Sequence, residues 1–228
     1  MDEDLAIVIQ TCDKYELFWE GWYHSFNEFW DFNLPYKIYF CNEVIDLPFK
    51  HEKIIQLKTG ENEFSDRLLF ILDKIKENNL LYLQEDIWMI KPIDIQSYYY
   101  DFVKYDFDAL RLLRNHNTFY CVTSNVEGEN YIQLDNTRSR FLVSHHPGFW
   151  KREFYKKCMC KGENPWSNEI NATNRIRTLE PRIFTLLKSV KWYFEVVKCG
   201  YLKKYGRDIL KKYNILSNFP EGRINLKN

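Results

Sequence analysis

A chain of 228 residues, 45% hydrophobic and 28% charged, has the apolar material for one sizeable core, since domains commonly run to about 100–200 residues. Lys plus Arg and Asp plus Glu each number 32, so no net positive field is available to neutralise phosphates, and nucleic-acid binding is demoted as a class. No run reaches the roughly 18 apolar residues of a membrane span, and MDEDLAIVIQ carries acids where a secretory leader carries bases, so the expectation is a soluble cytoplasmic protein.

The elements read in chain order begin with an alternation. LAIVIQ from Leu5, KIYFC from Lys37, KIIQL from Lys53 and LLYLQ from Leu80 are apolar runs of strand length. Between the first two, Leu17, Phe18, Trp22, Phe26 and Phe29 recur at helical spacing; before the fourth, Phe64, Leu68, Leu72 and Ile75 do the same. Near-continuous apolar strands alternating with helices predict a mostly parallel sheet covered on both faces. KPIDIQSYYYDFVKYD reads as a helix opened by Pro92. ALRLL, TFYCVTS, NYIQL and RFLVSH then read as strands with short turns, one of them at Glu127-Gly128-Glu129, and predict antiparallel additions. From Lys151 the pattern is helical through Ile176, and the chain finishes with a strand and a basic helix, YLKKYGRDILKKYN. The six cysteines form no CxxC pair and are expected as free thiols in a reducing compartment, which would leave the Asn171-Ala172-Thr173 sequon silent.

The adjacent acids Glu85 and Asp86 close the fourth apolar strand. In an open α/β sheet, ligands bind outside the carboxyl ends of the parallel strands. Two carboxylates there repel unless a cation or a donor-rich ligand neutralises them, and a hard divalent metal commonly keeps one or two protein carboxylates while phosphate oxygens fill its other positions.

YLQED at that strand end resembles the acidic motif of GT-A fold glycosyltransferases. IVIQTCDKY is similar to the first strand and nucleotide-binding loop of that fold, and TGENEFSDRLLFIL to the segment before the acidic motif in small bacterial and viral members. SHHPGFWKREFYKKCMCKGENPWSNEI resembles their acceptor-side segment, in which a Pro-x-x-Trp stretch leads into Pro-Trp-x-x-Glu. The motif here is Gln-Glu-Asp rather than Asp-x-Asp, and neighbouring strand residues point to opposite faces, so one acid is expected to ligate directly unless the strand has already turned.

The resemblance implies a single GT-A-like, Rossmann-like α/β domain over residues 1–228: a nucleotide-binding half, 1–90, and an acceptor-side half, 91–228. It implies transfer of a sugar from a UDP- or GDP-sugar to a hydroxyl of a glycan, protein or lipid-linked acceptor, in glycan synthesis, with Mn²⁺ or Mg²⁺ as cofactor. Asp86 is then the metal ligand. Thr11, Asp13, Ser65, Arg67 and Glu85 are donor-binding, Glu169 acts on the acceptor, and Trp150, Trp166 and His146 are acceptor-binding. Plainer roles compete at several of these positions. Thr11, Asp13, Ser65 and Asp66 are also good helix caps, Glu169 also suits a helix N-terminal turn, and the pair His145-His146 also suits a surface or a satisfied core. The basic C-terminal helix fits a solvated face or contact with an anionic membrane. Two further readings remain: a non-catalytic sugar- or nucleotide-binding module on the same scaffold, and a metal-dependent nucleotidyltransferase, which the lack of clustered glycines near the first strand disfavours.

Overall fold

The computed structural model describes residues 4–113, 122–128, 130–188, 190–198 and 201–215, together with Phe219 and Ile224. The strands β1 (Leu5–Gln10), β2 (Lys37–Asn42), β3 (Ile54–Lys58) and β4 (Asn79–Gln84) pair in parallel in the spatial order β3-β2-β1-β4. All six residues of β1 are buried, and they divide by the strand period. Leu5, Ile7 and Ile9 enter one hydrophobic cluster; Ala6 and Val8 enter the other, on the opposite face. The helix α1 (Glu16–Phe29) covers the first face with Phe18, Trp22 and Phe26, and α2 (Phe64–Lys74) covers the second with Leu68, Ile71 and Leu72. This is the doubly covered parallel sheet that continuous apolar strands require.

The chain continues through β5 (Ile87–Met89), α3 (Ile95–Lys104), β6 (Ala109–Arg111), β7 (Val122–Glu127), β8 (Tyr131–Leu134), β9 (Gly148–Lys151), α4 (Arg152–Cys158), α5 (Pro165–Ile176) and β10 (Ile183–Leu186). The main sheet has nine strands in the order β3-β2-β1-β4-β9-β6-β10-β8-β7. β9 lies antiparallel between β4 and β6, and β8 is antiparallel to both β10 and β7, so the antiparallel additions fall in the second half as expected. After β10 come β11 (Tyr193–Glu195), which pairs with β5, then β12 (Val197–Lys198), β13 (Tyr201–Leu202) and α6 (Lys204–Lys212).

Several local expectations are corrected. RFLVSH forms no strand: the backbone N–H groups of Leu142 and Val143 donate to the Thr173 hydroxyl at 2.9 and 3.1 Å, and Arg111 donates to the carbonyls of Phe141 and Leu142, so this apolar run is held by side chains instead of a ladder. The strand that does pair here is β9, a few residues on. α3 is capped by Asp94, whose carboxylate accepts from the Ser97 N–H at 3.0 Å, and not opened by Pro92. The helical stretch after Lys151 is two helices, and the second is capped by Asn164 with Pro165 in its first turn. Residues 118–121 of TFYCVTS and Glu129 of the turn lie outside the described residues, as do Cys121 and Cys199; Gly128 takes φ +58°. Cys12, Cys41, Cys158 and Cys160 are free thiols, and Cys160 is exposed. Among the described residues, no helix is long and apolar enough to cross a membrane.

Candidate functional site

A cleft of about 810 Å³ opens at the carboxyl ends of β1 and β4. The turn after β4 builds its floor. Glu85 and Asp86 form the turn between β4 and β5, so they escape the strand alternation and both line the cleft. The turn is held on two sides: the Trp88 indole N–H donates to the Glu85 carbonyl at 2.9 Å, and the Val196 N–H donates to the Asp86 carbonyl at 2.9 Å. Trp88 fits because α1 carries Gly21 beneath it, where an added Cβ would stand 2.1 Å from the indole.

The acids are poorly solvated. Burial, and then the charge of Asp86, pushes the Glu85 carboxyl well above the usual range, with the Thr11 hydroxyl and Arg67 pulling the other way. Burial, and then Glu195, raises Asp86, and Lys203 eases it. Glu195 lies on β11, opposite Ile87, and lines the same cleft while its carboxylate accepts from Lys203 at 2.6 Å. The sequence offered no sign of it, because only the β5–β11 pairing brings it to the acid pair.

The loop after β1 forms the next wall. Thr11, 4% exposed, lines the cleft with its hydroxyl accepting from the Trp19 indole at 3.0 Å. Asp13 does not line it. Its carboxylate accepts from the Asn42 side chain and from the N–H groups of Glu43, Val44 and Ile45, all at 2.8–3.0 Å. Burial alone would raise its pKa; those bonds hold it below the ordinary value. Asp13 therefore organises the loop after β2, and that loop supplies Glu43, which sequence reasoning missed. Glu43 accepts from the Asp13 N–H at 2.9 Å and pairs with Arg67, whose guanidinium also donates to the Asn62 carbonyl at 2.6 Å. Arg67 lines the cleft while only 8% exposed, and its Nε has no partner. Ser65 is fully buried and does not line the cleft: its hydroxyl accepts from the Glu163 N–H at 2.9 Å and fastens the loop before α5 to α2.

The opposite wall comes from α5 and the segment before β9. Glu169 lines the cleft with Oε1 accepting from the His145 N–H at 2.8 Å, which fixes the carboxylate. Trp166, 74% exposed, stands at the lip, and His146 lines the cleft with its pKa lowered by burial. His145 also reaches it, although the ring is 4% exposed, bonded to the Tyr155 hydroxyl at 2.9 Å and pushed down to about 4 by burial. Trp150 is a core residue and not a cleft one. In β9 it lies opposite Leu80 of β4 and Ala109 of β6, 1% exposed and stacked on Tyr155 with ring centroids 4.3 Å apart.

The arrangement thus collects Thr11, Arg67, Glu85, Asp86, His146, Trp166 and Glu169 around one space, and leaves Asp13, Ser65 and Trp150 behind its walls. Among the described residues no group of three or more His, Cys, Asp or Glu side chains could hold a metal ion. What is present is an adjacent pair of carboxylates, Glu85 buried and Asp86 half-buried, each with its pKa raised by burial and by a neighbouring acid.

No protein-family model and no curated protein matches the sequence. Solved structures do match. S. aureus TarS 1-349 superposes at a TM-score of 0.56 with 13% identity over 94% of this chain and 71% of that one; in its complex with UDP-GlcNAc the values are 0.54 and 11% over 96% and 67%. This chain spans 44% of the longer S. aureus TarS structure. A CMP:2-keto-3-deoxy-manno-octonic acid synthetase complexed with CTP matches at 0.55 and 14% over 93% of this chain and 98% of that one. The sheet, its flanking helices and these neighbours agree on one conclusion: the chain has a GT-A-like fold.

Proposed function

We propose that the protein is a glycosyltransferase that moves a sugar from a UDP- or GDP-sugar to a hydroxyl group of a glycan, protein or lipid-linked acceptor. The observation that carries the reading is the sharing of one cleft by a strained acid pair at the end of β4 and a fixed carboxylate, Glu169, on the opposite wall. The presence of UDP-GlcNAc, UDP and CTP in the structural neighbours supports a nucleotide ligand for this fold.

In this reading the half formed by residues 1–90 holds the donor. Thr11 and Glu85 contact the nucleoside side and Arg67 offers guanidinium N–H groups to the diphosphate, matching phosphate oxygens in fork geometry. A divalent cation, Mn²⁺ or Mg²⁺, would be held by Asp86 with Glu85 beside it, and when bound it supplies positive charge for the leaving diphosphate. The half formed by residues 91–228 holds the acceptor. Trp166 offers an exposed ring face to a sugar, His146 donates or accepts at the wall, and Glu169, held by the His145 N–H, takes the hydroxyl proton.

A second reading, nucleotidyl transfer, is favoured by the CTP-bound neighbour that this chain covers almost completely. A thermal-shift screen of UDP-, GDP-, CMP- and dTDP-sugars with and without Mn²⁺ tests donor binding, because a ligand of the native state raises apparent stability by mass action. Slow hydrolysis of the stabilising nucleotide sugar is the expected activity without acceptor. Pyrophosphate release from a nucleoside triphosphate and a free sugar would select the second reading, and binding without either reaction would reduce the protein to a binding module.

A further inference from the structure

The charge of the chain is unevenly spread. Residues 190–215 contain seven basic and two acidic side chains, a net of +5, within a chain whose total is zero. They fold as β11, the β12–β13 hairpin and α6. Gly206 and Leu210 turn one face of α6 into the protein, where Gly206 packs on Leu202 and Val196, and the opposite face exposes Lys204, Tyr205 and Lys211. Lys203 and Lys212 are engaged, with Glu195 at 2.6 Å and Glu28 at 2.5 Å. Lys198, Lys204 and Lys211 are exposed and form no ion pair among the described residues; Asp208, between the last two, offsets one of their charges.

Aromatic rings are interleaved with these cations. Phe194 and Tyr205, 38% and 36% exposed, stack with centroids 4.3 Å apart, and Tyr201, 56% exposed, sits opposite Lys198 in the hairpin. Glu195, the residue after Phe194, lines the cleft, so the patch adjoins the site.

We propose that this patch docks the protein on the surface of an anionic lipid bilayer. Lysines on flexible stems respond to the diffuse negative potential of such a surface, each contributing roughly fivefold in affinity, and tyrosine rings with their hydroxyl groups suit the headgroup level. A soluble polyanion without stacking bases, such as heparin, would use the lysines and leave the rings idle. Together with the glycosyl-transfer reading, on which this step alone rests, docking here would turn the cleft toward acceptors carried by the bilayer.

Co-sedimentation with phosphatidylcholine vesicles, with and without phosphatidylglycerol, tests it. The expected result is partition onto the anionic vesicles only, weakened by salt, lowered roughly 100-fold in the Lys198→Ala, Lys204→Ala, Lys211→Ala triple variant, and lowered also by Tyr201→Ser. Each variant's melting temperature serves as the control for folding. No partition onto anionic vesicles would overturn the proposal, and so would binding that competes with heparin and is indifferent to Tyr201→Ser, which would mark a polyanion site. Donor titration on the same preparations reports separately on the proposed reaction, so either idea can fail without the other.

Discussion

Asp86→Asn should make the unliganded protein more stable at pH 8, against the usual direction of a point substitution. Asp86 and Glu85 are both pushed above the ordinary carboxylate range, by burial first and then by neighbouring acids, Glu195 for one and Asp86 for the other. A carboxyl whose pKa is higher in the folded than in the unfolded chain binds more protons when folded. Stability is therefore lost as pH rises from the ordinary value of about 4 through the raised folded value. Every tenfold gain in proton affinity on folding corresponds to about 1.4 kcal/mol, and neutralising Asp86 removes its own penalty together with its repulsion of Glu85. Its side chain retains some solvent contact and Lys203 already offsets part of the charge, so the gain is placed at about 1–3 kcal/mol, or roughly 2–12 °C in Tm for a domain of this size. Melting curves at pH 8 and pH 5 measure it, and the gain should shrink at pH 5, where the wild-type pair is already protonated. The same substitution should abolish the added stabilisation by Mn²⁺ with a nucleoside diphosphate, a trade of stability for function. A variant that melts at or below the wild type at pH 8 would refute the account of the acid pair as strained.

Arg67→Ala should weaken binding of nucleoside diphosphates by about 1.5–3 kcal/mol and of nucleosides much less; calorimetry giving equal losses for both would place Arg67 away from the phosphates. Glu169→Gln keeps an acceptor for the His145 N–H but cannot take a proton, so transfer should fall by about 10²–10⁴-fold at unchanged donor affinity, and wild-type transfer would reduce Glu169 to a helix-terminus residue. Gly21→Ala should destabilise by about 1–3 kcal/mol through collision with Trp88 and loosen the acid turn that Trp88 holds; denaturant unfolding at wild-type stability would mean that the indole can shift freely.

Local pattern determined much of this protein. Leu5–Gln10, Lys37–Asn42 and Asn79–Gln84 are apolar at every interior position because both faces of a parallel strand are covered, and the helices between them show their buried stripe at helical spacing, so the sheet, its flanking helices and the placing of Glu85-Asp86 at a strand end were legible from the residues. Thr11 and Arg67 were legible for a related reason, since each lies just past such an end, after β1 and β3, whereas Trp166 and Glu169 were read from the Pro-Trp-x-x-Glu resemblance; all four line the cleft. The remainder depends on partners far away in sequence. Trp150 looks like a cleft aromatic until β9 is seen to insert between β4 and β6, which buries it on both sides. Asp13 looks like a ligand-binding or capping acid until three N–H groups of the loop after β2 converge on it, some thirty residues on, and Ser65 spends its hydroxyl on Glu163. Glu43 and Glu195 carry no motif at all: one is aimed by Asp13 and Arg67, the other by the pairing of β11 with β5, and a period of two or 3.6 residues holds no information about contacts made across 24 positions or more than 100.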